Sequence, residues 1–174
     1  MDNETSSAGI SSMTSVLVNA KSAQQIRTWV ISGSAAGSVA AAGSVNVVIF
    51  ESSTAAWIGK NAVVIAGNKG DIRVIATDST ALQTVTGNVT ASGAVSAGLA
   101  SDTITFSKLT RAYVGAGASL SSGRNIVIRA NSDETSLTAV VSAGAAAGAA
   151  AGTVNGAVST MVIKNQTLAE VMSN

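Results

Sequence analysis

The chain has 174 residues, enough for one ordinary domain or a short repeat array. Hydrophobic residues make up 47% and charged residues 11%, which excludes disorder of the highly charged kind, and with aromatics at 3% the apolar content is mostly Ala and Val. Ten basic and nine acidic residues are scattered without a basic patch, so neither nucleic acid nor an anionic membrane is expected as the main partner, and the longest low-polarity run, over residues 143–154, is too short for membrane insertion; the lack of Cys and His excludes disulfides and Cys- or His-based metal or catalytic sites.

The chain opens on Met1-Asp2-Asn3-Glu4, which is acidic and is not followed by the apolar stretch of a secretory leader. If the protein is secreted, this sequence is expected to be one piece of a longer chain. From there the elements come in three rounds. Val16-Leu17-Val18-Asn19-Ala20 returns as Ile72-Arg73-Val74-Ile75-Ala76 and as Ile126-Val127-Ile128-Arg129-Ala130. A tract rich in Gly, Ala and Ser follows in each round, over residues 33–45, 87–99 and 144–158. Next come Val48-Ile49-Phe50, Ile104-Thr105-Phe106 and Met161-Val162-Ile163, and then Thr54-Ala55-Ala56-Trp57-Ile58-Gly59, Thr110-Arg111-Ala112-Tyr113-Val114-Gly115 and the weaker Thr167-Leu168-Ala169-Glu170-Val171. The chain is thus close to three copies of a 54–57-residue unit, over residues 8–61, 62–117 and 118–174.

Within each run the residues alternate with period two, which marks strands. Positions such as Val16/Ile72/Ile126, Val18/Val74/Ile128, Val48/Ile104/Met161 and Phe50/Phe106/Ile163 stay apolar, whereas Leu17/Arg73/Val127 and Glu51/Ser107/Lys164 vary freely. The first group is expected to face inward and to stack on its copies, and the second to face solvent. The small-residue tracts read as strands or flat turns, although Gly144, Gly148 and Gly152 alone would also fit packed helices. The fold class expected is all-β, a parallel β-helix or β-solenoid. Punctuation by Gly, Asn, Asp and Ser suggests three coils of about 18–19 residues per unit, hence about nine coils and a rod about 43 Å long. Small side chains bury little area at about 25 cal/mol per Å², so backbone ladders and like-on-like stacking must carry the stability.

The pattern Thr-x-Ala-x-[Ile/Val]-Gly, followed by a turn, an alternating strand and a Gly/Ala/Ser tract, resembles the repeats of leukotoxin-type filamentous adhesins of anaerobic Gram-negative bacteria. These are related in style to autotransporter passenger domains. The resemblance rests on Ala56-Trp57-Ile58-Gly59-Lys60-Asn61-Ala62 with residues 72–76, and on Ala112-Tyr113-Val114-Gly115 through Ala118 with residues 126–130. It implies a right-handed parallel β-helix displayed outside the cell, with attachment as the role of the whole protein. The third copy departs from the pattern, with Glu170 at the aromatic position and Met172 where Gly stands in the others.

Signs of catalysis are weak. No Ser-x-x-Lys or Gly-x-Ser-x-Gly occurs, and Gly115-x-Gly117 lacks the third glycine of a phosphate loop. Asp71, Asp78, Asp133 and Glu134 are the only candidates for a carboxylate pair, and they read better as turn residues. No calcium-binding nonapeptide repeat is found, so no metal or cofactor is expected. Asn3-Glu4-Thr5, Asn88-Val89-Thr90 and Asn165-Gln166-Thr167 match the short glycosylation pattern and carry little weight. Trp57 and Tyr113 occupy equivalent, outward positions and are the one candidate surface contact, for a sugar ring or a partner chain. The expected function is a non-enzymatic shaft or spacer of a secreted or cell-surface adhesin. The alternatives are a face that binds host glycan or protein, and self-association of coils end to end or side by side.

Overall fold

The computed structural model describes residues 15–145 and 152–173. The acidic opening, the Asn3-Glu4-Thr5 site, the first residues of the unit beginning at 8, and Gly148 of the third tract lie outside the described residues. The elements are all strands: β1 (Val16–Ala36), β2 (Val39–Ile58), β3 (Val63–Ile65), β4 (Ile72–Ser92), β5 (Val95–Val114), β6 (Ser119–Ser121), β7 (Ile126–Ala145) and β8 (Gly152–Val171). The chain has no proline, so no strand loses a ladder donor. Its Val, Ile and Thr favour the pleated surface.

The strands form three parallel sheets, in the orders β1-β4-β7, β2-β5-β8 and β3-β6. The sequence-matched runs lie side by side: Val16 beside Ile72 and Ile72 beside Ile126, Ile49 beside Thr105 and Thr105 beside Val162. Glu170 pairs with Tyr113, and the Met172 amide donates to the Val114 carbonyl (3.0 Å) as the Gly115 amide does to that of Ile58 (2.8 Å). The third copy therefore keeps its register despite losing the motif glycine.

Strand length differs from expectation. The coils of about 18–19 residues are not seen: in the long strands every parallel partner lies 54 to 57 residues away, so each repeat contributes one rung to each long ladder. A 21-residue strand extends for about 69 Å, whereas three rungs at about 4.8 Å separate the outer strands by only about 10 Å. The expected rod of about nine coils is thus replaced by something wide across the stack and short along it. The physical reason is that polar residues read as punctuation, such as Thr77-Asp78-Ser79-Thr80, continue the alternation as strand.

After β4 the chain bends at residues 93–94 and returns as β5 in the second sheet, so that the inner faces of the two sheets meet. The bend needs Gly93, because a Cβ there would strike the Gly37 carbonyl of the bend below. At the far end, Gly59–Ala62 and Gly115–Ala118 close as turns (Ala62 N to Gly59 O 3.4 Å, Ala118 N to Gly115 O 3.2 Å). Their third residues, Asn61 (φ 57°) and Gly117 (φ 73°), occupy the left-handed region. The small-residue tracts are strand, bend and strand wherever described, and no helix occurs among the described residues.

In the middle copy the facing pattern is as the repeats imply. Ile126 and Ile163 of the third copy, also expected inward, are instead 46% and 47% exposed, because they lie on an outer rung with no further copy stacked on them among the described residues. Ile72, Val74, Ala76, Ile104, Phe106 and Ala112 are all 0% exposed, while Arg73 is exposed. Two apolar clusters result, one of Ala56, Ile58, Ala66, Ile72, Val74, Ala76, Ala112 and Val114, the other of Leu82, Ile104 and Phe106. Phe50 stacks on Phe106 within the second (centroids 4.9 Å apart). A β-bulge at Thr80/Ala81 against β7 changes the pairing offset and switches the inward phase from Ile128 and Ala130 to Leu137 and Ala139.

Candidate functional site

Two groups of side chains stand out, one on the outer surface and one between the sheets. The outer group is the sequence candidate. Trp57 on β2 and Tyr113 on β5 are register partners, so their rings stack with centroids 6.1 Å apart and planes 10° from parallel. Trp57 is 54% exposed and Tyr113 half-buried. The Arg111 guanidinium lies over the Tyr113 ring (4.5 Å) and donates to Glu170 Oε2 (2.9 Å). A hollow of about 190 Å³ beside Trp57 is lined by Val18, Asn19, Ala20, Ala55 and Ala56. The arrangement offers a flat aromatic face next to a charged pair, which is the chemistry that holds a sugar ring or an amphipathic side chain.

The inner group was not foreseen. Asp78, expected in a turn, lies within β4 and points inward at 1% exposure, because the alternation set by Ile72, Val74 and Ala76 runs on through it. Lys108 occupies the same phase on β5 as Phe106 and Thr110, and its Nζ sits 2.5 Å from Asp78 Oδ1. Side-chain exposure is 0% for Lys108 and 1% for Asp78. Glu134, another expected turn residue, lies in β7 with Oε1 3.1 Å from Lys108 Nζ.

All three rungs contribute to this group. From the first, Thr54 Oγ1 (2.8 Å) and Ser52 Oγ (3.2 Å) donate to Asp78 Oδ2. From the middle rung, Thr80 Oγ1 donates to Asp78 Oδ1 (3.1 Å). From the third, Ser132 Oγ (3.0 Å) and Asn165 Nδ2 (2.8 Å) donate to Glu134 Oε1. Desolvation alone would raise the Asp78 pKa. The Lys108 hydrogen bond and charge, with the Thr54 and Thr80 hydroxyls, outweigh it and hold the carboxyl below its ordinary value.

The other two acidic candidates lie elsewhere. Asp71 precedes β4, where it accepts from the Asn125 amide (3.2 Å) and side chain (3.1 Å), as its reading as a turn residue implies. Desolvation works against its ionised form, but the Asn125 donors and the Arg124 and Arg73 charges hold its pKa below the ordinary value. Asp133 lies in β7 on the exposed phase. A further buried carboxylate, Asp102, is 0% exposed and accepts from Asn46 Nδ2 (3.0 Å) and Thr84 Oγ1 (2.7 Å). The alternation was the signal that could have found these residues: counted on from Ile72 and back from Val114, Asp78, Lys108 and Asp102 all fall in the inward phase.

No family model, curated protein or solved structure matches this chain.

Proposed function

We propose that the chain is a stretch of wide-coiled parallel β-solenoid that works as a non-enzymatic shaft or spacer in a large secreted or surface-displayed bacterial adhesin. The observation that supports this most is the column. Each inward position repeats on every rung of the long ladders, and such a ladder extends by adding repeats without altering the ones in place. The leukotoxin-type motif residues at the Gly59 and Gly115 turns agree with the extracellular setting. A tandem fusion of two copies tests the shaft. It should melt as one cooperative unit at a higher temperature than one copy, and scattering should show the stack growing by about 4.8 Å per added repeat. Two independent domains with unchanged melting would overturn the reading.

A second reading, a glycan- or protein-binding face, is favoured by the exposed Trp57 and Tyr113 stack. Glycan-array signal lost in both Trp57→Ala and Tyr113→Ala would support it, and signal unaffected by either would exclude this face.

A further inference from the structure

The Lys108 amine, the Asp78 carboxylate and the Glu134 carboxylate form a set that neither the shaft nor the aromatic face uses. We propose that Lys108 and Asp78 condense to an intramolecular isopeptide bond, with Glu134 carrying the proton. The bond would tie β4 to β5 across the interior of the middle repeat.

The reacting groups are already in contact, and Lys108 and Asp78 are closed to solvent. Proximity of this kind replaces a bimolecular encounter and raises the effective concentration of amine at carboxyl by orders of magnitude. Burying both charges is costly, and an amide removes both charges of the pair at once. Exclusion of water also suppresses the reverse hydrolysis.

Each step has a group to serve it. Glu134 Oε1 takes a proton from the Lys108 ammonium and passes it to Asp78 Oδ1, so that the lone pair of a neutral amine attacks Cγ of a neutral carboxylic acid. The C–N bond forms as the carbonyl electron pair moves onto Oδ2, where the Ser52 and Thr54 hydroxyls receive the developing negative charge. These donors, which favour ionised Asp78 before reaction, favour the oxyanion during it. Oδ1 lies next to the amine and the Thr80 hydroxyl. It leaves as water when the C–Oδ1 bond breaks, having gained one proton by way of Glu134 and the second from the attacking nitrogen. Overall, one ammonium and one carboxylate become one amide and one water, with no oxidant, metal or cofactor in the balance. Glu134 is partly open, at 23% side-chain exposure, which gives the water an exit.

The neighbouring rungs indicate a dedicated site. Lys108 is flanked in its column by Ser52 and Asn165, and Asp78 by Ser22 and Ser132, so only the middle repeat carries the reacting pair. Ser52, Ser132 and Asn165 instead supply hydrogen bonds to the two carboxylates.

The test is the intact mass of the full chain under denaturing conditions, followed by proteolysis and tandem mass spectrometry. The expected mass is lower than that of the sequence by one water, with a branched peptide joining the Asp78 and Lys108 segments. Lys108→Arg should show its full sequence mass. Glu134→Gln, checked as folded by circular dichroism, should stay unlinked or link far more slowly. A wild-type chain that keeps its full mass after prolonged incubation in the folded state would overturn the proposal, as would a water lost at another position. Rapid, complete linkage in folded Glu134→Gln would overturn the role given to Glu134.

Discussion

At the end of the interior beside the Gly59 and Gly115 turns, Ile72, Val74 and Ala76 pack with Ala112, Val114, Ile58 and Ala66. At the end beside the Gly93 bend the inward residues of β4 are Thr84, Thr86, Asn88, Thr90 and Ser92, all buried, with Ser96, Gly98 and Asp102 from β5. The Leu82, Ile104 and Phe106 cluster and the Asp78–Lys108 pair lie between them. The two ends share the long strands, their sheets and their register, yet one is apolar and the other mostly polar, with Ala100 among its buried residues. The backbone ladder therefore does not depend on an oily interior, provided the inward side chains are small and stack on their copies. The apolar end adds hydrophobic free energy, while the polar end relies on the ladder and on bonds such as Thr84 to Asp102.

The largest effect is expected at the apolar end. Val74→Asp buries an unpaired charge on the middle rung and should cost more than about 4 kcal/mol in denaturant unfolding, whereas Arg73→Asp, one residue away on the exposed phase, should cost about 1 kcal/mol or less. Equal losses would break the facing map. The same contrast at Ile128 and Val127 should be smaller, because both are only half-buried on an outer rung.

At the boundary between the ends, and measured in the Glu134→Gln background where the pair stays ionic, Lys108→Met leaves the Asp78 charge without its cation and should cost about 3–5 kcal/mol. Lys108→Met with Asp78→Leu should recover most of that, since an apolar pair replaces both charges. In folded Glu134→Gln, where the pair is expected to remain ionic, acid should be destabilising. The Asp78 pKa is lowered on folding, so its contribution is full above the ordinary carboxylate value near 3.8 and is lost as pH falls through the lowered one. Acid titration of stability should show this loss, and the linked chain should lack it.

Within the polar end, two threonines on one face give opposite signs. Thr84 donates to buried Asp102, so Thr84→Val should cost about 1.5–3 kcal/mol. The Thr86 hydroxyl has no hydrogen-bond partner among the described residues, so Thr86→Val should be neutral or stabilising by about 1 kcal/mol. A large loss in Thr86→Val would mean that the polar end depends on hydroxyls as such.

The sequence shows some of these features and hides others. Repetition marked Ile72, Val74, Ala76, Ile104 and Phe106 as inward, because the same restraint acts on each copy. It also placed Trp57 beside Tyr113. Strand length was hidden, because Ser, Thr, Asn and Asp are turn formers when exposed and stacked interior residues when a neighbouring copy pairs with them. Asp78 illustrates this: read by residue type it is a turn residue, and read by phase it is a buried ion. The Asp78–Lys108 contact was hidden for a further reason, since it depends on where β4 bends back, and small residues over 87–99 do not mark a single bend point.

The spacing of partners is the most direct test of the fold. Spin labels on Leu17→Cys and Arg73→Cys should sit on adjacent rungs, with backbones about 5 Å apart and strong dipolar broadening. Labels on Leu17→Cys and Ala35→Cys, at opposite ends of β1, should be on the order of 60 Å apart and show no broadening. Broadening in the second pair and none in the first would restore the short coils of about 18 residues and contradict one repeat per rung.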